Sequence, residues 1–258
     1  MTKSEWNKFT KARERFRSET EELSRALPKL KKIQQELVSG RSGGKNSFYT
    51  VETPVVYNSA LDEITSDDEI KLILVADNPG RREQAAENRR YLSGPSGKIA
   101  RKFFIDNPEL GIDFQKNAII LNKTPVHSPR TAELRELCRI EAKDSRNKSS
   151  IASAIENSQK TMALLLLEFH EALGVPVWIT GYSEMKKGGI FECYTETLKS
   201  LYAQTPGREY MYKQIFFYRH FSMNQFTIDL KQQALPAENI AESLARIGAA
   251  YRERILGK

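Results

Sequence analysis

The sequence predicts an α/β protein, a three-layer α/β/α sandwich with a central four-stranded and mainly parallel sheet. Three observations lead to this fold class. Four short apolar runs are each bounded by turn residues, and helical patterns separate them. The runs are continuous rather than alternating, which is typical of parallel strands covered on both faces. Strands that alternate with helices imply right-handed crossovers between neighbouring layers.

The amino-terminal segment predicts a basic amphipathic helix. Apolar residues recur at helical spacing from Trp6 to Leu37, and Pro28 should divide the helix. Residues 1–41 contain eleven Lys or Arg against six Glu, which is +5 of the net charge of +7. Residues 39–44 have the composition of a linker. We therefore predict a basic helical extension and linker at 1–44 and the α/β domain at 45–258. We expect the helix to dock its apolar side on that domain rather than act as a DNA-binding arm.

The remaining elements follow in chain order. Residues 48–58 indicate extended, irregular chain, because Pro54 disfavours a central strand. The apolar runs predict strands at residues 70–76, 117–122, 175–181 and 213–219. The helical patterns predict helices at residues 97–104, 131–141, 150–173 and 185–203, and a final helix after Pro236.

Composition narrows the class of protein. The chain is 40% hydrophobic and 28% charged, without an apolar stretch of membrane-spanning length or a secretory h-region. Cys138 and Cys193 match no metal or redox spacing. We therefore expect a cytoplasmic protein with no membrane partner, no metal and no cofactor. The positive charge favours a polyanionic partner, and the oligomeric state is left open.

Polar residues stand where three of the predicted strands end. Asp77 and Asn78 follow the first strand, Asn122 ends the second, and His220 and Ser222 follow the fourth. Since the carboxyl ends of parallel strands share one edge of a sheet, these side chains are expected to converge there. Taken singly, each has a structural explanation: an Asx-turn, a loop cap or a half-buried histidine.

In this order, the motifs resemble those of the uracil-DNA glycosylase superfamily over about residues 54–230. The counterparts are Asp77-Asn78-Pro79-Gly80, the segment 91–97, Leu121-Asn122-Lys123 and His220-Phe221-Ser222. The upstream segment PVVYNSALDE is similar to that of the single-strand-selective monofunctional branch. Three positions depart from the pattern: Ala76 replaces a glycine, Leu92 falls where an aromatic residue stacks on uracil, and Phe221 replaces a proline.

The resemblance implies hydrolysis of the N-glycosidic bond of uracil or a related damaged base in DNA. By the resemblance, Asn78 holds the water, His220 stabilises the leaving base and Asn122 reads the uracil edge. It assigns substrate binding to Asp77, Pro79, Gly80, Tyr91, Leu92, Asn122 and Ser222. Strand alternation predicts that Asp77 points away from Asn78.

Two other functions are weighed against this one. The first is a catalytically silent nucleic-acid-binding member of the same fold, because the departures at Leu92 and Phe221 affect the pocket. The second is a nucleotide- or phosphate-binding α/β protein that uses the NPGRR turn. The chain has neither G-x-G-x-x-G nor G-x-x-x-x-G-K-[ST], which makes this function the last of the three. The strand preference for DNA is left open.

Overall fold

A central sheet organises the computed structural model, which describes residues 1–40, 48–140 and 150–257. Its strands are β1 (Leu72–Ala76), β2 (Ala118–Asn122), β3 (Val177–Thr180) and β4 (Ile215–Tyr218). Their order is β2-β1-β3-β4, and every neighbouring pair is parallel. The predicted α/β/α sandwich is confirmed, with a sheet that is parallel throughout its four strands. All residues of β1 and β3 are buried, as their continuous apolar runs require.

Helices connect the strands and cover the sheet. In chain order they are α1 (Lys3–Ala26), α2 (Leu30–Ser39), α3 (Pro95–Asp106), α4 (Thr131–Ile140), α5 (Ser150–Leu173), α6 (Glu192–Leu198), α7 (Glu209–Lys213), α8 (Gln225–Gln233) and α9 (Ile240–Leu256). On one face of the sheet, the Trp178 ring of β3 lies 5.5 Å from Phe104 of α3 and 6.0 Å from Phe226 of α8. Aromatic packing of this kind fixes the outer helices on the sheet.

One predicted helix is wrong in its first half. A helix was expected over residues 185–203, but α6 begins only at Glu192. Gly188 has a left-handed backbone with φ of 74°, and a short 3-10 turn, Tyr182–Met185, precedes it. The apolar pattern continues on both sides of Gly188 and Gly189, so the sequence does not show that the helix is interrupted there. The last residue of the helix predicted at 131–141 lies outside the described residues.

The amino-terminal helices are part of the packed structure. The chain breaks between α1 and α2 around Pro28, as predicted. Phe9 and Phe16 of α1 are fully buried, and the Phe9 ring lies 5.4 Å from the Phe169 ring of α5. The helix therefore docks by its apolar side, as expected. Residues 41–44 of the predicted linker, and with them the predicted domain boundary, lie outside the described residues.

None of the helices in the described part of the chain combines the length and apolar character that crossing a bilayer requires.

Candidate functional site

The strand ends bring the polar residues to one edge of the sheet. In the register of β1 and β2, Ala76 is opposite Asn122, so Asp77 and Asn78 follow at the same level. The backbone N–H of Lys123 donates to the carbonyls of Ala76, at 3.0 Å, and of Asp77, at 3.1 Å. Strand β4 ends at Tyr218 on the same side and leads to His220. This carboxyl edge is where open α/β sheets bind ligands.

Asn78 is held by its amide nitrogen. The Nδ2 group donates to Ser128 Oγ at 2.9 Å and to the Ser128 carbonyl at 3.1 Å. Along residues 1–40, 48–140 and 150–257, no donor is placed on Asn78 Oδ1. The side chain is thus fixed in orientation while its acceptor oxygen stays open for a hydrogen bond.

A buried histidine supports the turn that carries Asn78. His127 is fully buried, and its Nδ1 lies 2.8 Å from the Pro79 carbonyl, which can only accept a hydrogen bond. In the neutral ring, Nε2 then accepts from the Tyr49 hydroxyl, 2.8 Å away. The Arg81 guanidinium lies over the Tyr49 ring, 5.1 Å from its centre. Sequence reasoning missed His127 and Tyr49, because no motif marks a residue whose role is to brace a distant turn.

Asn122 is the most unusual group at this edge. Its side chain is only 1% exposed, yet neither Nδ2 nor Oδ1 has a hydrogen-bond partner among the described residues. Buried polar groups in native proteins are nearly always hydrogen-bonded, and an unpaired one destabilises the fold. Asn122 therefore presents a donor and an acceptor that suit a ligand with the complementary pair.

His220 is held in one tautomer by its neighbour. The Ser222 backbone N–H donates to His220 Nδ1 at 3.0 Å, and Ser222 Oγ lies 2.8 Å from the same nitrogen. Because Nδ1 accepts, the proton of the neutral ring is on Nε2. Burial lowers the pKa of His220; the Asp77 carboxylate opposes this shift, and the Lys123 ammonium adds to it. At neutral pH the ring is thus a neutral Nε2–H donor. Phe221 is fully buried against Phe226, with ring centres 4.4 Å apart.

Asp77 forms an ion pair with Lys123. The Lys123 ammonium lies 2.5 Å from Asp77 Oδ1 and 2.5 Å from the Thr180 carbonyl. Asp77 Oδ2 accepts from the Thr131 hydroxyl at 3.1 Å. The carboxylate thus contacts a different set of groups from Asn78, in line with the prediction from strand alternation. The sequence motif contained Lys123 but gave no sign that its side chain would be buried.

Glu83 is a further site residue that sequence reasoning missed. Its carboxyl is only 7% exposed, and Oε2 accepts from the Gly80 N–H at 3.0 Å. Burial raises the pKa of Glu83 to about 7, while hydrogen bonds from the Gly80, Leu92 and Gly94 N–H groups act in the opposite direction. One carboxyl thus joins the turn at Pro79-Gly80 to the segment 91–97.

The segment 91–97 divides between core and edge. Tyr91 is buried, its hydroxyl donates to the Val56 carbonyl at 2.5 Å, and its ring lies 6.3 Å from Phe16. Tyr91 therefore belongs to the core under α1. Leu92 is 8% exposed with a left-handed backbone, φ of 50°. A Cβ on Gly97 would lie 1.3 Å from the Leu92 carbonyl oxygen, so only glycine permits this approach of the chain to α3.

Within the described residues, no group of three or more His, Cys, Asp or Glu is placed to hold a metal ion. Comparisons of the chain with protein-family models, with curated proteins and with solved structures find no match.

Proposed function

We propose that this protein is a hydrolase that cleaves the bond between deoxyribose and uracil, or a related damaged base, in DNA. The observation that carries the proposal is the Asn122 amide, which is buried without a partner among the described residues at the carboxyl edge of the sheet. Uracil presents an N–H beside a carbonyl oxygen, the complement of an amide oxygen beside an NH₂. Binding the base would satisfy both groups.

The neighbouring groups suit the reaction. The C1′–N bond breaks, its electron pair leaves with the base, the water oxygen bonds to C1′ and the water proton passes to solvent. The open Oδ1 of Asn78 would accept a hydrogen bond from this water and orient it. The Nε2–H of His220 would donate to the base as negative charge develops on it. An amide is not a base, so orientation of the water is the whole contribution of Asn78.

A DNA substrate is consistent with the net charge of the protein and with the burial of Asn122. The net charge of +7 favours the phosphates of DNA. A base inside a duplex must leave the stack before chemistry at its sugar bond can occur. Since Asn122 is 1% exposed, the surrounding loops must also open before a base can reach it.

The same burial favours a second candidate, a catalytically silent nucleic-acid-binding protein. Asn122 is closed off, Leu92 stands where the resemblance places an aromatic residue, and Phe221 is part of the core. A protein that kept the fold and the charge but not the open pocket would bind nucleic acid and release no base.

The test is uracil release in single turnover from single- and double-stranded oligonucleotides. We expect Asn78→Ala and His220→Ala each to slow release about 10²- to 10³-fold, the typical loss of one preorganised polar group. Affinity for DNA should change little, because phosphate contacts dominate it. Asn157→Ala, on the exposed side of α5, is the control and should match the wild type.

Wild-type protein that binds DNA but releases no base would make the silent binder the better proposal. Loss of both properties would reject both.

A further inference from the structure

Lys123 carries a positive charge into the interior at the carboxyl edge. Its side chain is fully buried and starts after β2. Its ammonium contacts Asp77, which follows β1, and the carbonyl of Thr180, the last residue of β3. The Phe191 ring lies 4.9 Å from the nitrogen on another side. One side chain therefore connects the ends of three strands.

The backbone at Gly181 leaves room for the Asp77 carboxylate beside the Lys123 ammonium. Gly181 has a left-handed backbone with φ of 79°, and a Cβ there would lie 2.4 Å from Asp77 Oδ1. A side chain at that position would displace the carboxylate from its place beside the ammonium. A buried ion pair usually adds little to stability compared with apolar side chains of the same size. Stability alone is therefore a weak reason for a buried ammonium paired with a carboxylate that is 14% exposed beside the candidate site.

The ion pair reaches the strand that leads to His220. Thr180, whose carbonyl accepts from the Lys123 ammonium, is paired with Tyr218, two residues before His220. The Asp77 carboxylate raises the pKa of His220, and the Lys123 ammonium lowers it. In a poorly solvated interior, charges interact over longer distances than in water. A base that leaves as an anion beside His220 would enter the same field.

We propose, on the basis of the function proposed above, that Lys123 is a positioning residue whose buried ammonium stabilises the departing anionic base through its field. Asp77 holds the ammonium in place across the strand ends. Lys123 makes no contact with the base and exchanges no proton with it. The His220 Nε2–H remains the group that donates to the base.

A charge-neutral double variant separates this role from a structural one. Lys123→Met should slow uracil release by about tenfold to a hundredfold, below the loss of a directly contacting group. Asp77→Asn removes the carboxylate that holds the ammonium and that opposes the lowering of the Lys123 pKa by burial, so it should also slow release, by no more than Lys123→Met does. Asp77→Asn/Lys123→Met removes both charges, so its free energy of unfolding in urea should be close to that of the wild type. Its rate of uracil release should remain as low as that of Lys123→Met. A double variant that regains the wild-type rate would overturn the proposal. Lys160→Met, exposed on α5, is the single-charge control.

The leaving base provides a second readout. The fluorine of 5-fluorouracil stabilises the base anion, so release of 5-fluorouracil should depend less on Lys123 than release of uracil. The loss caused by Lys123→Met should shrink by about threefold or more with this substrate, since the field has less charge to stabilise. An equal loss with both bases would indicate a structural role and reject the proposal.

Titration of His220, followed by ¹⁵N NMR, needs no activity. Lys123→Met should raise the pKa of His220, because a neighbouring positive charge is lost, and Asp77→Asn should lower it. If the pKa of His220 is the same in Lys123→Met as in the wild type, the inference is overturned, even when the wild type releases uracil. If the variants show these shifts but the wild type releases no uracil, the proposed function is rejected instead.

Discussion

Asn122 and Asn58 are two fully buried asparagines with opposite hydrogen bonding. Asn58 Nδ2 donates to the Ile120 carbonyl at 2.9 Å, and its Oδ1 accepts from the N–H groups of Tyr91, at 3.2 Å, and Ala60, at 3.3 Å. Neither amide atom of Asn122 has a partner in the described chain. Asn58 therefore stabilises the loop around it, whereas Asn122 costs stability in the absence of a ligand.

Replacing each asparagine by leucine, which has a similar size, tests this difference. Asn122→Leu should raise the free energy of unfolding by about 1–3 kcal/mol, because two unpaired polar groups are removed. Asn58→Leu should lower it by about 1–3 kcal/mol, because it leaves backbone groups unpaired. Urea unfolding of both variants gives the comparison. Equal destabilisation by both would mean that the Asn122 amide has a partner.

Glu83 gives the protein a pH-dependent stability. Its folded pKa of about 7 lies above the ordinary value of 4.5, so the folded state binds the proton more tightly than the unfolded state. This contribution is fully present below pH 4.5 and is lost as the pH rises to about 7. The shift corresponds to about 3 kcal/mol. Urea unfolding of Glu83→Gln should lack this fall between pH 4.5 and 7. A wild-type dependence retained in the variant would assign the effect to another group.

Sequence reasoning found the residues that end strands, but not those that become important through burial. Asn78, Asn122 and His220 were identified because the strand pattern gives their position. His127 is important because its partners Tyr49 and Pro79 come from distant segments, and Glu83 because the turn at Gly80 and the segment 91–97 enclose its carboxyl. A single sequence contains no signal for such a closure.

At the level of elements, the contact between segment 91–97 and α3 depends on one glycine. Gly97 lies in the first turn of α3, with no room for a Cβ beside the Leu92 carbonyl. Gly80, in the turn after β1, is different, because apart from its own atoms and those of its two chain neighbours, no described atom lies within 4 Å of the place that a Cβ would take. A side chain is therefore excluded at Gly97 but has room at Gly80.

Gly97→Ala should therefore destabilise the protein by about 3 kcal/mol or more, since the backbone must shift to relieve the overlap. Gly80→Ala should remain within about 0.5 kcal/mol of the wild type. Thermal and urea unfolding measure both. A tolerated Gly97→Ala would mean that Leu92 and α3 separate easily, and it would remove the constraint on this side of the site.

The elements themselves were largely predictable. Each of the four strands lies within its apolar run, because burial on both faces leaves a continuous pattern. The first half of the helix expected over residues 185–203 was wrong, because an apolar pattern does not show that Gly188 has a left-handed backbone. Strand order and the pairing of β1 with β3 also could not be read from the sequence, since they depend on contacts between distant segments.

At the level of the whole molecule, the amino-terminal helices brace the site from a distance. Gln34 of α2 donates to the His127 carbonyl at 2.8 Å and to the Pro54 carbonyl at 3.1 Å. His127 in turn holds the Pro79 carbonyl beside Asn78. Removal of the amino-terminal segment would therefore disturb the core and the site together, and truncation is a poor test of its charge.

A pair of phenylalanines tests the docking of α1. Phe16 is fully buried, whereas Phe48 is 60% exposed. Phe16→Ala should lower the free energy of unfolding by about 3–5 kcal/mol, the usual loss for a buried phenylalanine. Phe48→Ala should change it by about 0.5 kcal/mol or less. Urea unfolding that gave similar values for both variants would mean that α1 is not part of the core.

The docking of α1 on α5 also determines when this helix can fold during synthesis. Phe9 is made early, but its partner Phe169 is added 160 residues later. At about 5–20 residues per second, the ribosome needs on the order of ten seconds to make this stretch. Throughout that interval, Phe9 lacks its partner on α5, although Tyr57 and Tyr91, which lie against Phe16, have already been made. The packing of α1 is thus completed only after translation of α5, and until then its exposed apolar side is a surface that a chaperone would bind.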